Sequence, residues 1–138
     1  MADFTFPVRV YWEDTDAGGV VYYANYLRFL ERARSEWLRT LGVDQVRMLR
    51  EERQQFVVVE ANVRYHRPAR FDDQLLVTVA LDSMRGASVV MSQEIRRGRN
   101  AEELLVTATI RAACIDSASL KPRPLPKALA SQSCKEPS

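Results

Sequence analysis

The chain has 138 residues, 46% of them hydrophobic and 28% charged, with a formal net charge of +2. That is the length of one domain with a sizeable core. The composition excludes disordered and collagen-like classes, and so small a positive excess, spread without a block, speaks against a nucleic-acid partner.

The first element is a half-buried strand over Thr5 to Glu13, where Phe6, Val8, Val10 and Trp12 alternate onto one face. Asp14-Thr15-Asp16-Ala17-Gly18-Gly19 follows as a loop, marked by two adjacent glycines. From about Tyr22 to Leu41 the period changes to 3.6, with Tyr26, Leu30, Ala33, Trp37 and Leu41 forming an apolar stripe. Glu31–Arg34 and Arg32–Glu36 stand at supporting helical spacings, and Gly42 fits the residue that ends the helix. A turn or two of helix is expected over Val43 to Arg53.

Four strands come next: Gln55 to His66, Gln74 to Met84, Ala87 to Arg96 and Leu104 to Asp116. The turns between them are Arg67 to Arg70, Arg85-Gly86 and Arg97 to Asn100, short enough for antiparallel pairing. Arg96, Arg97 and Arg99 around Gly98 read as a solvated hairpin tip. Pro122, Pro124 and Pro126 predict an extended tail, and residues 131–138 are polar and expected to be disordered, leaving one domain over residues 1–130. One apolar helix among five strands is buried either by a sheet wrapped around it or by lying across an open sheet, an α+β architecture in both cases.

No run approaches the roughly 18 apolar residues of a membrane span, and Met1 to Pro7 carries no apolar stretch of signal length. Cys114 and Cys134 are expected to stay reduced in a cytoplasmic protein. His66 is the single histidine and there is no Gly-x-Ser-x-Gly, which argues against a Ser-His-Asp hydrolase. Neither a zinc ligand set nor a phosphate-binding glycine loop is present, so no metal and no cofactor is expected.

The informative run is Glu13-Asp14-Thr15-Asp16-Ala17-Gly18-Gly19-Val20-Val21-Tyr22-Tyr23-Ala24-Asn25-Tyr26. It places carboxylates just ahead of a helix start, where backbone N–H groups lack partners and carry partial positive charge. Such donors can polarise a carbonyl oxygen while a carboxylate attacks it or activates water. The same residues also suit an ordinary turn in which Asp bonds its own backbone. A calcium loop lacks its further oxygen ligands.

In residue order this run, continued by Glu31-Arg32-Ala33-Arg34, resembles the 4-hydroxybenzoyl-CoA thioesterase family of hot-dog proteins. Within that family it is most similar to the Tol-Pal-associated bacterial acyl-CoA thioesterases of YbgC type. The likeness continues through Arg64-Tyr65, Pro68-Ala69, Asp72-Asp73 and Ser83 to Ser88, and ends in Lys121 to Pro126.

The resemblance implies a hot-dog fold, a five-stranded antiparallel sheet around one long central helix. It also implies dimers or homotetramers with active sites at subunit interfaces. Asp16 maps to the catalytic carboxylate, as nucleophile or general base. Tyr23 maps to the residue whose backbone N–H receives the thioester oxygen. Many YbgC-type members carry His where this chain has Tyr23, but the backbone donor survives that change.

The implied substrate is an acyl-CoA with a short aliphatic or aromatic acyl group. Gly19, Val20 and Tyr22 are expected to line the substrate. Arg67, Arg70, Arg85 and Ser88 are candidates for the coenzyme A phosphates. Asp14 is expected to bond the loop backbone or hold Asp16 in place, Asn25 to cap the helix or make a turn bond, Glu31 to be a solvated charge or a supporting group, and His66 to be a surface or satisfied strand histidine. A hydratase on the same fold would pair its carboxylate with a histidine, which His66 is poorly placed to supply. The alternative from another class is a protein that binds an acyl-carrier protein or serves as a scaffold linked to phospholipid metabolism and the cell envelope.

Overall fold

The helix owes its place to its stripe. In the computed structural model, which describes residues 4–132, α1 spans Asn25–Thr40, and Tyr26, Phe29, Leu30, Ala33, Trp37 and Leu38 are buried along it. These positions recur every three or four residues, one face of a helix. Gly42 ends the run at φ +90, a left-handed conformation that glycine takes without steric penalty.

The strands are β1 (Phe4–Arg9), β2 (Gln54–Tyr65), β3 (Gln74–Arg85), β4 (Ser88–Arg97) and β5 (Glu103–Asp116). They form one sheet in the order β1-β3-β4-β5-β2, and every pairing is antiparallel. Inward residues of β3, β4 and β5, among them Leu75, Val77, Ile95, Leu105 and Ile110, meet the α1 stripe in one core. This is the hot-dog arrangement that the resemblance implied. Between helix and sheet sits Gln93, 1% exposed. Its amide donates to the carbonyls of Leu30 and Thr78 and its oxygen accepts Arg34 Nη1 at 2.9 Å, so its burial is fully compensated.

The sequence expectations need several corrections. The first strand stops at Arg9, not Glu13. Val10 exchanges backbone bonds with the Asp72–Asp73 loop, and Trp12–Asp14 forms a 3-10 turn closed by the Asp14 carboxylate on the Tyr11 N–H. Trp12 is therefore 68% exposed and outside the core. The helix begins three residues later than the periodicity suggested, at Asn25. The Arg32–Glu36 spacing yields no ion pair. Glu36 pairs with Arg39 instead, while Glu31 accepts Ser35 and Arg34 turns inward to Gln93. The predicted turns after Val43 are α2 (Gln45–Arg47) and a π turn (Met48–Glu52).

The proline segment is docked, not loose. Pro122 bridges to Ile115, and α3 (Lys127–Ala130) buries Leu129 completely. The proline stretch itself stays extended, with Pro126 at φ −56 and ψ 144, and α3 begins only after it. Ser131 and Gln132 bond back to the Ala128 carbonyl. The rest of the tail, with Cys134, lies outside the described residues.

Candidate active site

Asp16 lies exposed on the loop between β1 and α1. Its backbone N–H donates to the Val20 carbonyl at 2.8 Å and its carbonyl accepts Gly19 N–H at 3.1 Å. Its Oδ1 accepts the Gly18 N–H at 2.8 Å. The turn reading and the reactive reading are thus compatible. One carboxylate oxygen shapes the turn, and the other bonds nothing among the described residues. Gly19 closes the turn at φ +81.

The loop then runs antiparallel to itself, with Thr15 bridged to Val21, and Val20 bridged across to Arg70. Asp14 gives the loop its base. Its carbonyl accepts both the Tyr22 N–H at 3.0 Å and the Asn25 side-chain amide at 2.9 Å. Asn25 is therefore the first helical residue, tying loop to helix, and not the N-cap, which is Ala24.

Tyr23 sits at the entrance to α1. Its N–H donates to no acceptor among the described residues. Its carbonyl accepts the Tyr65 hydroxyl at 3.4 Å, and its side chain is 63% exposed. The Tyr22 and Tyr23 rings lie 4.9 Å apart. A side-chain hydrogen bond to Tyr23 raises the Tyr22 phenol above its ordinary range, and burial does the same at Tyr65. These phenols stay neutral and offer hydroxyls, not charge, beside the helix start.

The opposite wall is the segment between β2 and β3. Ala69 is fully buried. Its carbonyl accepts Val21 N–H at 2.8 Å, and its own N–H donates to the Tyr26 hydroxyl at 2.9 Å. Trp12 stacks on Phe71 with ring centroids 3.6 Å apart, joining the two loops on the outside. Phe71 and Tyr26 carry no marker of this role in the sequence, because their partners are remote in the chain.

The structure brings Asp16, Gly19, Val20, Tyr22 and Tyr23 onto one loop and helix start, as expected. The basic candidates divide. Arg67 is paired with Glu103 at 3.0 Å, and Arg70 is exposed beside the Asp16 loop. Arg85 and Ser88 face each other across the β3–β4 hairpin, at the far end of the strand whose first residue, Gln74, pairs with Arg9. Eleven steps of about 3.3 Å put Arg85 roughly 36 Å along β3 from Gln74, so Arg85 and Ser88 stand at the strand end opposite the one that the 68–73 segment enters. Arg97 is no solvated tip residue. It bonds Asp73, Glu103 and the Pro68 carbonyl. His66 lies one residue past β2 and is exposed, its ring bonded to Thr107 at 2.9 Å, a surface histidine with a partner.

A cavity of about 140 Å³ lies along the second half of α1, lined by Arg34, Leu38, Phe56, Met91 and Leu129 among others. None of its lining residues belongs to the Asp16 loop. Among the described residues no group of three or more His, Cys, Asp or Glu could hold a metal, and no helix is long and apolar enough to cross a membrane.

Comparison with known proteins now adds to this geometry. Residues 10–133 match the thioesterase-like superfamily. The chain is 47% identical over 129 residues to the acyl-CoA thioester hydrolase YbgC of Escherichia coli O6:H1, covering 94% of each chain. It is 45% identical over 124 residues to the acyl-CoA thioesterase YbgC of Haemophilus influenzae, covering 90% of this chain and 89% of the other. Among solved structures, a 1,4-dihydroxy-2-naphthoyl-CoA thioesterase from Synechocystis superposes with a TM-score of 0.85 at 27% identity, over 93% of both chains.

Proposed function

Since this chain belongs to the thioesterase-like superfamily and is an acyl-CoA thioester hydrolase, we propose that Asp16 is its catalytic carboxylate and the Tyr23 N–H its oxyanion donor. The observation that carries this reading is the pairing of two unspent groups. Among the described residues one Asp16 oxygen and the Tyr23 N–H bond nothing else, and both lie on the short loop that opens α1. Gly18 orients the carboxylate through its other oxygen, so the free oxygen is aimed without further ordering.

Acting on the thioester carbon, the carboxylate either attacks directly, giving a mixed anhydride that water then opens, or takes a proton from water as it attacks. In both routes the negative charge gathers on the carbonyl oxygen. A backbone N–H at a helix N-terminus stabilises it there. The thiolate of coenzyme A leaves and takes up a proton. Hydrolysis in labelled water under single turnover puts label into Asp16 only when an anhydride forms and water opens it at the Asp16 carbonyl. Opening at the acyl carbonyl labels the product acid, as the general-base route does, and trapping the anhydride with hydroxylamine separates those two.

The substrate is a short aliphatic or aromatic acyl-CoA. Tyr22 and Tyr23, both exposed at the helix entrance, suit a planar or compact acyl group. Arg85 and Ser88, at the strand end opposite the 68–73 segment, serve coenzyme A from a second copy. The homo-oligomeric reading is supported by β2, a 12-residue edge strand on which Val58 and Val59 are exposed. An open edge of this kind is a template for pairing.

The test is thiol release from acyl-CoAs spanning acetyl to palmitoyl and including benzoyl and 4-hydroxybenzoyl, with Asp16→Asn in parallel. Turnover that collapses in the variant is expected. Wild-type turnover in Asp16→Asn would overturn the assignment. Turnover confined to acyl-carrier-protein thioesters would move the substrate to the carrier-bound class.

A further inference from the structure

The segment that walls the Asp16 loop is itself held by one arginine. Arg97, at the end of β4, donates from Nη1 to Asp73 Oδ2 at 2.8 Å and to the Pro68 carbonyl at 3.1 Å. Its Nε and Nη2 reach Glu103 Oε1 at 2.9 and 2.7 Å. One planar guanidinium thus ties the start of β5 to both ends of the 68–73 segment, a geometry that a lysine point charge does not reproduce. The ion pairs are largely shielded, with about a quarter of the Arg97 side chain exposed. Asp73 Oδ2 also accepts the Arg70 N–H at 2.8 Å, so this carboxylate shapes the turn that it anchors. Inside that turn Asp72 stands at φ +69, a conformation that persists where its surroundings over-determine it.

From this clamped segment two backbone hydrogen bonds reach the Asp16 loop. Ala69 accepts the Val21 N–H and the Phe71 N–H donates to the Gly19 carbonyl at 3.4 Å, and together they make the bridge between Arg70 and Val20. Both fall between Asp16 and Tyr23.

We propose that Arg97 and Asp73 are positioning residues for hydrolysis, setting the Asp16 loop through the 68–73 segment without touching substrate. The inference rests on Asp16 being the catalytic carboxylate. Sub-ångström errors at a reacting group carry large rate costs, and a loop held through backbone bonds inherits the precision of whatever holds its partner. Arg97 is not one of the residues of the buried core, so removing the clamp leaves that core in place.

The experiment compares Arg97→Met with Arg123→Met. Arg123 makes a similar half-shielded pair with Asp116 at 3.0 Å, at the opposite end of β5. It serves as a control for the loss of one ion pair. Both are followed by hydrogen exchange of the peptide spanning residues 14–22 and by steady-state kinetics well below the melting temperature.

Arg97→Met is expected to speed exchange in that peptide about tenfold. It should lower kcat by about ten- to a hundredfold at nearly constant KM, with partial rescue in Arg97→Lys. Arg123→Met leaves both readouts near wild type. If Arg97→Met does not fold, Asp73→Asn supplies the same test, because it keeps an acceptor for the Arg70 N–H and loses the charge.

Exchange and kcat in Arg97→Met that match Arg123→Met would overturn the proposal, and so would faster exchange with unchanged kcat. The exchange readout does not depend on turnover. Failure of the Asp16 assignment would show separately, as activity retained in Asp16→Asn.

Discussion

The buried Ala69 N–H donates to the Tyr26 hydroxyl at 2.9 Å. Tyr26 opens the buried stripe of α1, and Ala69 is the residue whose carbonyl holds Val21. One alanine therefore couples the helix start to the loop that precedes it. Burial raises the Tyr26 phenol above its ordinary range, so the hydroxyl remains a neutral acceptor.

Tyr26→Phe removes that acceptor and strands a buried N–H. The expected loss is about 1–3 kcal/mol of stability, read as a lower urea midpoint with an unchanged slope. A midpoint equal to wild type would show that the Ala69 N–H finds another partner.

Gly18 and Gly19 are expected to separate stability from activity. Gly19→Ala meets no atom within 4 Å but must adopt φ +81, which costs about 1–2 kcal/mol in the left-handed region. Gly18→Ala has no such backbone cost, and its methyl would lie 3.3 Å from Asp16 Oδ1. Gly19→Ala should lower the melting temperature. Gly18→Ala should hold it nearly constant and reduce kcat by crowding the carboxylate. Thermal melts beside initial rates decide both.

Leu129→Ala should cost about 2–5 kcal/mol, as truncation of a buried leucine does, because its side chain is fully buried against the core. Chemical denaturation measures it. A loss below 1 kcal/mol, far under that usual range, would mean that α3 does not dock in solution.

Glu103 gives the pH-dependent case. Hydrogen bonds from Arg97, then from Arg67, hold its carboxyl below the ordinary value of 4.5. A folded-state value below the unfolded one means that the stabilisation is complete above 4.5 and is lost as pH falls through the lowered value. The gap in melting temperature between wild type and Glu103→Gln should therefore be open at pH 7 and close in strong acid. A gap constant across that range would contradict it.

What was legible in the sequence was local. The α1 stripe, the glycines at turns and the alternation in β3 to β5 each declare themselves within a dozen residues, and the helix and sheet followed from them. The Asp16 loop was legible because a carboxylate, two glycines and a helix start are contiguous. Trp12 was misplaced because alternation continues past Arg9 in sequence, while the backbone partners of Val10 lie in the Asp72–Asp73 loop. Arg97 was read as a solvated tip because its acceptors stand before β3 and at the start of β5, and no spacing rule links them. Leu129 was hidden by three prolines whose local preference is extended. Arg85 and Ser88 were put forward for coenzyme A on phosphate chemistry, which carries no position; their place at the β3–β4 turn became visible only in the fold.

The ladder between β2 and β5 begins where Gln54 meets Asp116, and in sequence the whole β3–β4 hairpin comes between those two strands. During synthesis β2 therefore emerges with neither side hydrogen-bonded and waits for β5, the last strand made. Contacts so distant in sequence fold slowly, since loop closure must precede their reward. Through that interval Val57, Val58 and Val59 form an apolar, β-prone run without a charge until Glu60, the kind of segment that collects unwanted partners. The hairpin of β3 and β4, with its tight Gly86 turn, can form first and give β5 an edge to add to. Its speed of closure then sets how long β2 stays open.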